Sequence, residues 1–120
     1  MAPNFGSYGP SKAALETMSS TLVHELEGSG VMVNGVVPGK PADTAQVPDD
    51  IGIPRDRLLR PEVMVAPIRW LLSDEADAVC GRRVNASLWE DKLPGDDALA
   101  KASRAIAWPE LIEPFSIADL

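Results

Sequence analysis

The run Val31-Met32-Val33-Asn34-Gly35-Val36-Val37 constrains this chain more than any other stretch. Valine dominates it, and both alternating faces are mainly apolar. A strand of that kind needs cover on two sides, as in a parallel sheet flanked by helices. Its backbone groups also need neighbouring strands. Gly28-Ser29-Gly30 precedes it, a sequence suited to a helix end because glycine accepts left-handed geometry. Pro38-Gly39 closes it. The expected fold class is therefore α/β.

The flanking segments agree. Over residues 10–27, Ala14, Leu15, Met18, Leu22, Val23 and Leu26 recur mostly at i, i+3, i+4 spacing, which predicts a helix with one apolar face. Ser7 is the expected cap, and Pro10 is tolerated in a first turn that has no donors to lose. Residues 40–60, with Pro41, Pro48, Pro54 and several acidic turns, read as a mobile loop with room for a short helix over 54–59. A second helix is expected over 61–72, bent or broken at Pro67. A strand is expected over 82–88, and one more helix over 97–106. The order is helix, strand, loop, helix, strand, then a mixed tail.

Composition narrows the function classes. The 120 residues suffice for one small domain. A net charge of -7 repels phosphates and anionic lipid, so neither nucleic acid nor membrane is an expected partner. No apolar run approaches the roughly 20 residues of a membrane-spanning helix. The first residues show no basic start followed by an apolar stretch, so no leader is expected. Cys80 is the single cysteine, which excludes an internal disulfide, and no metal cluster is expected. A cytoplasmic setting is the expectation.

Chemistry concentrates at Tyr8 and Lys12. Four apart on a helix, they share one face. An ammonium beside a phenol favours the phenolate, and such a tyrosine can give or take a proton at a carbonyl or alcohol oxygen. Spacing alone favours two solvated side chains on a first helical turn.

The surrounding order decides the reading. Tyr8-x-x-x-Lys12, then Ala13-Ala14-Leu15, then Val33-Asn34-Gly35-Val36-Val37-Pro38-Gly39, resembles the short-chain dehydrogenase/reductase family. Arg60-Pro61-Glu62-Val63, Leu71-Leu72-Ser73-Asp74-Glu75-Ala76 and the strand after Gly81 look like that family's next helix and last sheet strand. The resemblance covers residues 1–87. It implies the carboxyl-terminal part of a Rossmann-like, doubly wound parallel sheet: residues 1–88 as the catalytic half, 89–120 as an unassigned extension. It implies an oxidoreductase acting on a carbonyl/alcohol pair with NAD or NADP. Tyr8 is then the catalytic acid/base, and Lys12 steadies the phenolate and hydrogen-bonds the nicotinamide ribose. Val37, Pro38 and Gly39 lie against the nicotinamide. The family's carboxamide-binding threonine corresponds to Asp43 by count, or to Thr44 after a one-residue insertion.

The chain has no G-x-x-x-G-x-G or G-x-G-x-x-G turn, and Ser7 is too close to Tyr8 to be the family's catalytic serine. The expectation is a half that lacks the dinucleotide-binding strands and does not turn over unaided. The competing reading is a non-catalytic module that self-associates, or docks on a partner, through the apolar helix of residues 14–26. The resemblance also implies a small carbonyl or alcohol as substrate and a homo-oligomer.

Overall fold

In the computed structural model, residues 6–111 are described. The main elements are α1 (Tyr8–Glu25), β1 (Gly35–Val37), α2 (Val65–Leu71), β2 (Arg82–Asn85), α3 (Gly95–Ala102) and β3 (Ser103–Ala105), joined by short 3₁₀ turns. The three strands form one sheet in the order β1-β2-β3. β1 and β2 are parallel, with Gly35 opposite Arg83 and Val37 opposite Asn85. β2 and β3 are antiparallel, with Arg83 opposite Arg104. The fold is α/β with a mixed sheet, whereas the valine pattern alone pointed to a parallel one.

β1 is shorter than the apolar run that contains it. Its amino-terminal part is tied to the β2 side by another route. Gly81 N–H donates to the Val33 carbonyl at 2.8 Å. The Asn34 carboxamide donates to the Val79 carbonyl at 2.7 Å and accepts from Arg82 N–H at 3.0 Å. A side chain thus does there what the ladder does further on. β1 is half-buried at all three positions.

The expected helix over 61–72 divides. Pro61–Met64 form a 3₁₀ turn, and α2 begins at Val65. This places Pro67 third in α2, where its missing N–H had no partner inside the helix to lose. Among the described residues, Pro67 and Val84 are the largest fully buried side chains. The rest of the buried apolar set is mostly alanine: Ala76, Ala86, Ala98, Ala102 and Ala107, with Ile106.

Two further expectations change. The strand over 82–88 stops at Asn85, where the Asn85 side chain accepts from Ser87 N–H and starts a 3₁₀ turn, Ala86–Leu88. The helix over 97–106 stops at Ala102 and gives way to β3. β2 needs backbone partners on its second edge, and Arg82 seals the exchange by donating Nε and Nη2 to Ser103 Oγ at 3.1 and 3.0 Å. Residues 89–111, unassigned from sequence, therefore complete the sheet. Trp89 stacks obliquely on Trp70 of α2, ring centroids 5.6 Å apart.

Candidate active site

Tyr8 and Lys12 occupy the first turns of α1. Lys12 Nζ lies 5.5 Å from the Tyr8 ring centroid, within cation–π range, and Tyr8 is 44% exposed. Ser7 stands at the cap position, but its hydroxyl makes no capping bond. Its carbonyl instead accepts from Ser11 N–H at 3.2 Å. Gly28 and Gly30, at φ 78° and 82°, close the far end of α1 as expected.

Two contacts orient α1 against the sheet. Glu16 Oε2 accepts from Arg83 Nε at 2.9 Å. One to two turns later, Val23 packs beside Gly81, where an added Cβ would lie 3.5 Å from Val23 Cγ1. The helix advances from 16 to 23 while the strand side retreats from 83 to 81, so α1 runs antiparallel to β2. Its amino-terminal turns, with Tyr8 and Lys12, therefore point toward the end where β1 and β2 finish. Ligands of open α/β sheets gather at that end.

At that end the chain makes the Pro38–Gly39 turn. Gly39 has φ 90°, and a Cβ there would overlap the Asn85 carboxamide. Asn85 Oδ1 accepts from Ser87 N–H and Ser87 Oγ at 3.1 and 2.8 Å, and Ser87 N–H also reaches the Pro38 carbonyl at 3.1 Å. Side chains alternate along a strand, so Arg83 and Asn85 share a face. The face that receives α1 is thus the face on which Asn85 braces Pro38–Gly39. Val37 and Pro38 are half-buried there.

Thr44 and Asp43 fall in a separate cluster. Arg55 gathers the loop onto itself. Its Nη1 reaches Asp43 Oδ1 at 2.6 Å and the Thr44 carbonyl at 3.4 Å; its Nη2 reaches Asp49 Oδ1 at 2.5 Å and the Val47 carbonyl at 2.9 Å. Asp49 and then Asp43, as hydrogen-bonded carboxylates, raise the Arg55 pKa above its ordinary value. Asp43 N–H to the Leu59 carbonyl (2.8 Å) and Leu59 N–H to the Pro41 carbonyl (2.9 Å) tie the loop ends. Asp43 is occupied by Arg55, and Thr44 contributes its backbone carbonyl to the same clasp.

Glu16, Arg83, Asn85 and Arg55 were not singled out from sequence. Glu16 alone left a readable trace: it lies four residues after Lys12, on the same helical stripe. The others depend on contacts between distant segments. Among the described residues no group of three or more His, Cys, Asp and Glu side chains is placed to hold a metal ion. No described helix is long and apolar enough to cross a membrane.

Near this end stand an exposed ammonium, a phenol hydroxyl and a half-buried strand end. The sequence has no glycine-rich turn to hold a pyrophosphate.

Comparison with known proteins matches residues 1–87 to the family described as Enoyl-(Acyl carrier protein) reductase. The chain belongs to the short-chain dehydrogenase/reductase family. Among curated relatives, a 3beta-hydroxysteroid dehydrogenase 1 from Eggerthella lenta is 34% identical over 89 residues, covering 66% of this chain and 34% of the relative. A short-chain type dehydrogenase/reductase from Picea abies is 33% identical over 86 residues, 64% of this chain and 32% of the relative. An NADPH-dependent aldehyde reductase-like protein, chloroplastic, from Arabidopsis thaliana is 51% identical over 39 residues, 32% of this chain and 14% of the relative. The chain thus spans about a third or less of the length of these relatives. No solved structure matches it at a significant level.

Proposed function

We propose that this chain supplies the catalytic side of an NAD(P)-dependent oxidoreductase that interconverts a small carbonyl compound and its alcohol. The observation that carries the reading is the Tyr8–Lys12 pair, on one helical face, at the sheet end where Pro38–Gly39 lies. The nicotinamide, when bound, supplies or receives the hydride at carbon. In the reducing direction Tyr8 donates its hydroxyl proton to the carbonyl oxygen as the alcohol forms; in the oxidising direction it takes that proton back. The Lys12 ammonium stabilises the phenolate between these events and donates to the ribose hydroxyls. Val37, Pro38 and Gly39 would form the apolar wall against the nicotinamide ring, and Thr44, whose carbonyl Arg55 holds in the loop clasp, would offer its hydroxyl to the carboxamide only if that loop folds over the ring. In this reading the chain is the carboxyl-terminal part of a Rossmann-like sheet, and the open edge of β1 takes a further strand. The test is carbonyl reduction with Tyr8 intact and with Tyr8→Phe.

The apolar face of α1 favours a second, compatible reading. Leu15 and Met18 are 50% and 54% exposed, and Val31 and Met32 beyond the helix are 52% and 45% exposed. Exposed apolar side chains on the helix and just beyond it suit association of the chain with itself.

A further inference from the structure

α1 carries the proposed reacting pair, yet none of its residues is buried. Apart from half-buried Leu22, Val23 and Leu26 near its carboxyl end, packing does little to fix the rotation of its first turns. Four of its hydroxyl side chains do not help. Ser11, Thr17, Ser19 and Thr21 turn their hydroxyls back onto the helix's own carbonyls. Glu16 behaves differently. Its side chain is only 14% exposed, and both carboxylate oxygens are engaged outside the helix. Oε2 takes Arg83 Nε from the central strand, and Oε1 takes Ala107 N–H at 3.2 Å from the segment after β3.

The second partner is informative. Ala107 is buried and has φ 58°, a conformation that residues other than glycine rarely adopt. Such a residue persists only when its surroundings hold it there. A carboxylate that receives its N–H is part of that hold. Glu16 therefore joins three separate segments: the helix, the middle of the sheet and the turn that follows the last strand.

We infer that Glu16 is a positioning residue: through Arg83 and the Ala107 N–H it fixes the rotation of α1, and so aims Tyr8 and Lys12 at the carboxyl end of β1 and β2. Lys12 lies one turn before Glu16 and Tyr8 two turns before, about 6 and 12 Å along the axis. A turn of the helix about its axis swings both away together. Glu16 itself touches neither reacting atom. The inference rests on the reading of Tyr8 and Lys12 as the reacting pair, but its first readout does not.

The experiment compares the chain with Glu16→Gln, Glu16→Ala, Arg83→Leu and Arg83→Lys by amide hydrogen exchange and by NMR titration with reduced nicotinamide mononucleotide. Glu16→Ala and Arg83→Leu are expected to speed exchange in residues 11–22 by about tenfold, with β2 and β3 changed by less than about twofold. Glu16→Gln keeps an acceptor for Ala107 and falls between. Arg83→Lys, which keeps the charge, restores α1 protection to within about threefold. In the titration, Glu16→Ala weakens nucleotide-induced shifts at Tyr8 and Lys12 at least fivefold, although Glu16 makes no ligand contact. Unchanged α1 exchange in Glu16→Ala overturns the inference. So does an equal rise in helix and sheet, which marks Glu16 as a general staple. If neither the parent chain nor any variant responds to the nucleotide, the isolated chain does not hold it unaided, the reading of Tyr8 is decided by turnover in a complete nucleotide site, and the exchange result alone decides the role of Glu16.

Discussion

Gly39 shows how one backbone position can shape a site. Its φ of 90° and the Asn85 carboxamide filling the space of a side chain make two independent demands for glycine. Gly39→Ala must adopt a strained conformation and also displace Asn85, which then loses its bonds to Ser87. The expected cost is about 2–4 kcal/mol, read as a lower urea midpoint with unchanged slope. Gly28→Ala, also at positive φ but with open space around it, should cost only about 1–2 kcal/mol. Pro38-Gly39 was legible in the sequence as the end of a strand. Its partner was not, because Asn85 lies 46 residues after Gly39 and meets it only through the parallel pairing of β1 and β2.

Among the elements, the loop of residues 40–60 departs furthest from its sequence reading. Proline and acidic residues predicted mobility. The structure shows an arginine bonded to two carboxylates and two carbonyls within that loop. Arg55, Asp43 and Asp49 are well exposed, so salt screens the clasp. Arg55→Ala should open residues 43–55 to limited proteolysis, with cleavage at least about fivefold faster, and 1 M salt should produce a weaker form of the same change. Arg55→Lys keeps the charge but loses the fork, so it should rescue only partly. Because the raised pKa lies on a cation, the guanidinium's contribution is fully present below the ordinary arginine range and is lost only above it. Alkaline titration from neutral pH to pH ~9 should leave the clasp intact.

The elements most legible in the sequence were those set by local rules. α1 ends near its glycines, and the proline problem in α2 is solved by starting the helix afresh at Val65. β3 was illegible because Ser103-Arg104-Ala105 has no strand signature of its own and is recruited by the free edge of β2. The helix of residues 8–25 was found, and its apolar stripe is divided: Leu15 and Met18 face outward, while Leu22, Val23 and Leu26 are half-buried.

At the scale of the whole molecule, the small alanine-rich core contrasts with the apolar side chains left outside. Leu15 and Met18 on α1, and Val31 and Met32 ahead of β1, are all exposed. Covering such a surface is favourable at about 25 cal/mol per Å² of apolar area removed from water. The chain is therefore expected to sediment as a dimer or larger species at micromolar concentration. Met18→Glu places a charge on that face and should shift the equilibrium toward monomer. A parent chain that stays monomeric across this range counts against the self-association reading.

The central claim is that Tyr8 moves the proton in a nicotinamide-dependent carbonyl reduction. Its most direct measurement is turnover by a chimera in which the matched segment of this chain replaces its counterpart in the Eggerthella lenta relative. Oxidation of NADH and NADPH would be followed over a panel of small ketones and aldehydes. Nucleotide-dependent reduction is expected, falling by about 10²–10⁴-fold in kcat on Tyr8→Phe, with nucleotide affinity unchanged within about twofold. A Tyr8→Phe chimera that reduces the same carbonyl as fast as its parent would contradict it.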